Sequence, residues 1–212
     1  MEAQKDPSFK EILNSADLVV PDGMPLVWIG RRRGFKNLKR RVYGPELMET
    51  FLRETGPKYR HFLYGAAPET LDKLQALVFE RFQTNIVGAI SPPFRILTPD
   101  EDKEIVAEIN DSNPDFIWVG LSTPKQERWM FEHRDSIDPA VMLGVGAAFD
   151  FLTGTKRKAP SWMQEHGLEW LFRLVTEPRR LAYRYLVLGS QFVILVLREE
   201  WDISRARRRH SV

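Results

Sequence analysis

His61-Phe62-Leu63-Tyr64-Gly65-Ala66-Ala67-Pro68, followed by Leu71, Leu74, Leu77, Val78 and Phe82, is the stretch whose pattern decides the fold. A short, largely apolar run suits a strand covered on both faces. A glycine with two alanines suits a tight turn, and a proline suits the first turn of a helix. The apolar residues after Pro68 recur at helical spacing, so the unit reads strand, turn, helix. The pattern repeats outward along the chain. Short runs near 85–87, 116–120 and 141–144 read as further strands, and so does 16–20. Residues 99–110 place Ile105, Val106 and Ile109 on one helix face, and Pro114-Asp115 parts that helix from the strand after it.

Strands alternating with amphipathic helices predict an α/β fold, with a mostly parallel, Rossmann-like sheet flanked by helices. After Gly154 the strand signal stops and an aromatic, arginine-rich helical pattern runs to the end. The chain therefore divides into an α/β domain over 1–154 and a helical C-terminal appendage over 155–212, with a tail from about Ser204 expected to be disordered. At 212 residues, 43% of them hydrophobic, there is room for one substantial domain and this appendage. A net charge of +2 gives no global field for nucleic acid. The charge is nonetheless uneven: Arg31, Arg32, Arg33, Lys36, Lys39, Arg40 and Arg41 crowd one stretch, which reads by default as a solvated face. Cysteine is absent, which excludes disulfides and thiolate metal sites and fits a cytoplasmic location. The charged N-terminus is no secretory signal. The apolar run 185–197, broken by Gly189, Ser190 and Gln191, falls short of the ~20 residues a spanning helix needs.

Small residues stand where strands are predicted to end: Gly65 after one, Gly120 to Pro124 after another, and Gly144 to Gly146 after a third. Open α/β sheets bind ligands there, and backbone N–H groups in such turns approach a diphosphate closely. Asp22, after Pro21 and ahead of Gly23 and Pro25, has two readings. It is a helix N-cap, or it is a general base for an attacking hydroxyl. Arg41 suits a phosphate through paired N–H donors. Pro124-Lys125-Gln126-Glu127 opens a helix, so Gln126 can reach a base, ribose or sugar while Glu127 sits well at the helix start. Asp150 reads as a ligand-orienting group, as a cap or as the partner of an arginine. The four histidines are dispersed and no carboxylate cluster suggests a metal site.

The C-terminal part carries Gly167-Leu168-Glu169-Trp170-Leu171-Phe172-Arg173-Leu174, then Glu177-Pro178-Arg179-Arg180 and Arg184-Tyr185-Leu186. On one continuous helix Arg173, Arg180 and Arg184 share a face; if Pro178 opens a new helix, Arg173 belongs to the preceding one. Together with Pro21-Asp22-Gly23-Met24, Arg41-Val42-Tyr43-Gly44, Phe149-Asp150-Phe151 and Gly120-Leu121-Ser122-Thr123-Pro124-Lys125-Gln126-Glu127, this region resembles the WecG/TagA/CpsF family of bacterial glycosyltransferases, across nearly the whole chain.

The resemblance implies transfer of a hexosamine, N-acetylmannosamine foremost, from a UDP-sugar to a polyprenyl-diphosphate-linked saccharide, with inversion and with no metal or other cofactor. It implies that Asp22 is the base, that Arg41 meets phosphate, that Pro124, Lys125, Gln126 and Glu127 line the donor pocket, and that Arg173, Arg180 and Arg184 meet lipid diphosphate. It also implies that the appendage lies on the inner face of the plasma membrane. Members of that family begin well before the position of Met1, with a further strand. One strand and part of the donor pocket are thus expected to be missing, with an exposed sheet edge and self-association as the consequence. A non-catalytic nucleotide-sugar-binding relative and a membrane-surface scaffold are the rival readings.

Overall fold

The computed structural model describes residues 1–138 and 140–209, apart from the side chains of Arg180, Ser204 and 206–209. In chain order its elements are α1 (Glu2–Lys5), α2 (Pro7–Ser15), α3 (Met24–Arg32), α4 (Gly44–Thr55), β1 (Arg60–Gly65), α5 (Pro68–Phe82), β2 (Asn85–Ile90), α6 (Pro99–Ser112) and β3 (Phe116–Gly120). Then come α7 (Lys125–His133), β4 (Val141–Gly144), α8 (Ala148–Leu152), α9 (Ser161–Glu165), α10 (Glu169–Thr176), α11 (Pro178–Ala182), a π-helical stretch (Tyr183–Leu188) and α12 (Gly189–Arg209). The chain forms two compact units. One is Ser8–Lys158; the other combines Met1–Pro7 with the chain from Ala159 onward.

The larger unit holds a four-stranded sheet in the order β2-β1-β3-β4 with every pair parallel. Along β1, Phe62 and Tyr64 enter one core with Ile109, Ile117, Val119 and Trp129, while Leu63 enters the other with Met48, Leu52, Leu74, Trp118 and Phe149. Alternate residues thus serve opposite faces, and both faces are covered. That is why the run reads as continuously apolar rather than alternating. The chain moves from β1 outward to β2 and then crosses to β3 on the other side of β1, so strand order reverses between β1 and β3.

At that reversal Gly65 and Gly120 are register partners. Gly65 has φ +124°, and a Cβ there would stand 2.7 Å from the Gly120 carbonyl. A Cβ on Gly120 would stand 2.6 Å from the Phe149 ring. At the other end of the sheet, Asp115 accepts a hydrogen bond from the Arg60 N–H at 2.7 Å and pairs with its guanidinium at 3.4 Å. These Arg60 N–H and guanidinium contacts, the backbone one first, hold the Asp115 carboxyl below the usual carboxylate range.

Residues 16–20 do not form the fifth strand expected of them. Leu18 is 80% exposed and Val19 65% exposed, and no strand among the described residues pairs with them. β-propensity without a neighbouring ladder leaves an extended segment, not a strand. The tail differs too over 204–209, where α12 runs as helix to Arg209; residues 210–212 lie outside the described residues. Alanine and arginine are good helix formers, and extending an existing helix needs no new nucleus. No described helix is long and apolar enough to cross a membrane.

His61 is fully buried, and its Nδ1 accepts from the Trp118 indole N–H at 3.2 Å. Burial pushes its pKa down, against smaller upward pulls from the Thr55 backbone and Asp115. The unfolded chain therefore takes up a proton here at a pH where the folded chain does not, so stability is lost as pH falls through about 6.5. The thermal midpoint should fall between neutral pH and pH ~5.5, and His61→Gln, which keeps an acceptor for Trp118, should flatten that slope. Gly65→Ala should lower unfolding stability in urea by at least about 2 kcal/mol, through its left-handed backbone and the blocked approach to Gly120.

Candidate active site

The candidate site is built on the turns at the carboxyl ends of β1, β3 and β4. After β3, the Ser122 carbonyl accepts from the N–H groups of Lys125 at 2.7 Å and Gln126 at 3.2 Å, which sets the entry into α7. Pro124 occupies the N-cap position and Lys125 is exposed. Gln126 is buried, and its amide joins two turns: Oε1 accepts from the Gly146 N–H at 2.9 Å, while Nε2 donates to Glu127 Oε1 at 3.0 Å. Gly146, at φ +56°, takes a turn conformation that glycine adopts without strain. Thr123 Oγ1 donates to the same Glu127 oxygen at 2.8 Å. The second carboxylate oxygen, Glu127 Oε2, is buried and has no hydrogen-bond partner among the described residues. A buried acceptor in that state suits a polar group from outside the chain. Gln126, expected to reach a ligand, ties the β4–α8 turn to α7 through these bonds.

Asp22 lies just ahead of α3, whose N-cap residue is Gly23. Asp22 itself lies on an exposed, extended segment. The Val42 N–H donates to the Pro21 carbonyl at 2.8 Å, which ties the Asp22 segment to the one bearing Arg41. The Arg41 guanidinium lies 4.4 Å from the ring centre of Tyr43, a cation–π contact on a buried aromatic. Tyr43 packs 6.1 Å from the Phe151 ring, and a Cβ on Gly44 would be 2.8 Å from the Val145 carbonyl. The segment carrying Asp22 is thus linked through 41–44 to the β4–α8 turn, and from Gly146 to Gln126 and Glu127. Asp150, on α8, forms an ion pair with Lys156 at 2.5 Å, so its partner is a lysine and not an arginine.

In the second unit, Arg173 lies on α10 and forms an ion pair with Glu169 at 2.5 Å. Glu177, with φ −133° and ψ 56°, separates α10 from α11, which Pro178 opens. Arg173 therefore belongs to the preceding helix, and the three arginines do not share one continuous helix. Arg180 lies on α11 with its side chain outside the described residues, and Arg184 is exposed in the π-helical stretch. Trp170 and Tyr185 pack at 6.1 Å, while Val175, Leu186, Val193 and Leu197 are exposed.

The sequence reading assigned nothing to Tyr43, Thr123 or Lys156. Tyr43 stood inside the Arg-Val-x-Gly motif at its variable position, and Thr123 four residues before Glu127 had the spacing of a local cap. No local signal marked Lys156. Among the described residues no three His, Cys, Asp or Glu side chains come together as a metal site.

Residues 1–206 match the Glycosyl transferase WecG/TagA/CpsF family. A Bacillus spizizenii protein named N-acetylglucosaminyldiphosphoundecaprenol N-acetyl-beta-D-mannosaminyltransferase is 31% identical over 200 residues, covering 94% of this chain and 75% of that protein. A Bacillus subtilis protein of the same name is 28% identical, covering 93% of this chain and 75% of its own. With nearly its whole length matched, this chain belongs to the WecG/TagA/CpsF family of glycosyl transferases.

Proposed function

We propose that the chain transfers N-acetylmannosamine from a UDP-sugar to a polyprenyl-diphosphate-linked N-acetylglucosamine, as a step in cell-surface polysaccharide synthesis. The acceptor class follows the names of its relatives. The observation that carries the site assignment is Glu127 Oε2, a buried, unpartnered acceptor beside the strand-order reversal, where α/β sheets take ligands. A ribose or sugar hydroxyl donates to it, and the backbone N–H groups of the glycine turns meet the diphosphate.

The reaction is a single displacement at the anomeric carbon. The acceptor oxygen forms a bond to that carbon as the carbon–oxygen bond to UDP breaks on the opposite face, which inverts the centre. Asp22 takes the hydroxyl proton, and UDP leaves with the bonding pair. Arg41, set by its contact with Tyr43, neutralises charge gathering on the leaving diphosphate, in the role a metal ion fills in other enzymes. The exposed apolar side chains and arginines of the second unit engage the membrane that carries the lipid acceptor.

Calorimetric titration with UDP should show saturable binding of similar strength with and without magnesium. A strict magnesium requirement would remove the role given to Arg41. Asp22→Asn should abolish turnover while leaving UDP affinity nearly unchanged; an unchanged rate would remove Asp22 from the mechanism. Glu127→Gln should raise the KM for the donor about tenfold, the worth of one hydrogen bond to a charged acceptor.

A further inference from the structure

We infer that α3 and the loop after it, residues 25–40, form a docking surface for an anionic lipid bilayer within the larger unit, distinct from the helical unit at the C-terminal end. Between Gly23 and Pro45 seven residues are Lys or Arg and none is Asp or Glu. Charge of one sign packed this closely repels itself and favours a surface of opposite sign.

One of the seven builds the platform. Arg31 Nε donates to the Leu38 carbonyl at 2.7 Å and its Nη2 donates to the Lys39 carbonyl, while the Phe35 N–H returns to the Gly30 carbonyl at 3.0 Å. A Cβ on Gly30 would stand 2.7 Å from Leu38 Cδ2, so the loop packs directly on the helix end. Gly34, at φ +103°, makes the turn. The clamp leaves Lys36, Lys39 and Arg40 exposed, and it displays Phe35, 67% exposed, and Trp28, 49% exposed, on the same short segment. Aromatic and apolar side chains interleaved with cations are what an anionic bilayer surface binds, with rings at headgroup depth and cations on lipid phosphate. A soluble anion would use the cations and leave the rings in water. The surface stands on charge and exposure alone. Only its consequence rests on the glycosyltransferase reading: Asp22 immediately precedes α3, so a bilayer met here is one in which a lipid-linked acceptor lies.

The test uses the full chain and vesicles of phosphatidylcholine alone or mixed in equal parts with phosphatidylglycerol. Binding should require the anionic lipid and weaken as salt rises. The triple variant Lys36→Gln/Lys39→Gln/Arg40→Gln should lose vesicle affinity on the order of a hundredfold, at roughly tenfold or less per cation. The control Lys58→Gln/Lys73→Gln/Lys103→Gln, which likewise removes three exposed cations of this unit, should lose little. Equal losses in the two triples, or none in the first, would overturn the inference. Because the chain has no cysteine, Phe35→Cys accepts a single environment-sensitive fluorophore. Its emission should shift to the apolar range on anionic vesicles and stay unchanged on neutral ones. A label that remains in water while the protein is vesicle-bound places the contact elsewhere, and binding to single-stranded RNA in preference to anionic vesicles assigns the surface to nucleic acid; either result overturns the inference. Unchanged UDP binding in the triple variant separates a failure here from a failure of the glycosyltransferase reading.

Discussion

The backbone-to-backbone approach of Gly65 and Gly120 is the constraint on which the larger unit depends. These two positions are register partners where strand order reverses, and a side chain at Gly65 would collide with the Gly120 carbonyl. Phe149 then closes on Gly120 from α8, so the turn after β4 is drawn to the same place. Three turns converge because three backbones pack with no Cβ between two of them. The carboxyl end of a parallel sheet at such a reversal is where open α/β sheets take ligands.

Within the larger unit, some polar side chains are spent on shape while one keeps an open hydrogen-bonding site. The Gln126 amide is committed to Gly146 and Glu127, and Asp150 is committed to Lys156. Arg31 is committed to the carbonyls of its own loop. Glu127 is divided: one oxygen is held by Thr123 and Gln126, and the other is buried without a partner. On the proposed reading, a carboxylate held in this way is fixed before a ligand arrives, which reduces the entropy lost on binding. Asp22 is placed differently, on an exposed segment that the Val42–Pro21 hydrogen bond ties to the one bearing Arg41.

Much of the sheet was legible because burial on both faces leaves a continuous apolar run, and His61 to Tyr64 and Phe116 to Gly120 are such runs. Ala16 to Val20 is also mostly apolar yet forms no strand, because a ladder is a property of two segments and composition describes one. The motif turns were legible for a related reason: glycine and proline mark sites where backbone geometry is demanding. The hydrogen-bond partners were not legible. Gln126 lies twenty residues from Gly146 along the chain, and nothing near either residue specifies the other. The same holds for Tyr43, whose role comes from Arg41 on one side and Phe151 on the other.

The sequence by itself determined the alternation of strand, turn and helix, the places where glycine admits close approach, the basic stretch after α3 and the motifs that carry the family membership. These are local, since periodicity and backbone permissiveness act over a few residues. Tertiary packing alone settled which carboxylate oxygen stays unpartnered among the described residues, that Gln126 ties α7 to the β4–α8 turn, and that Arg173 and Arg184 belong to different helices. Each of these depends on which distant group fills a hydrogen-bonding site or ends a helix, and that is settled by packing in three dimensions, where a single competing partner changes a residue's role.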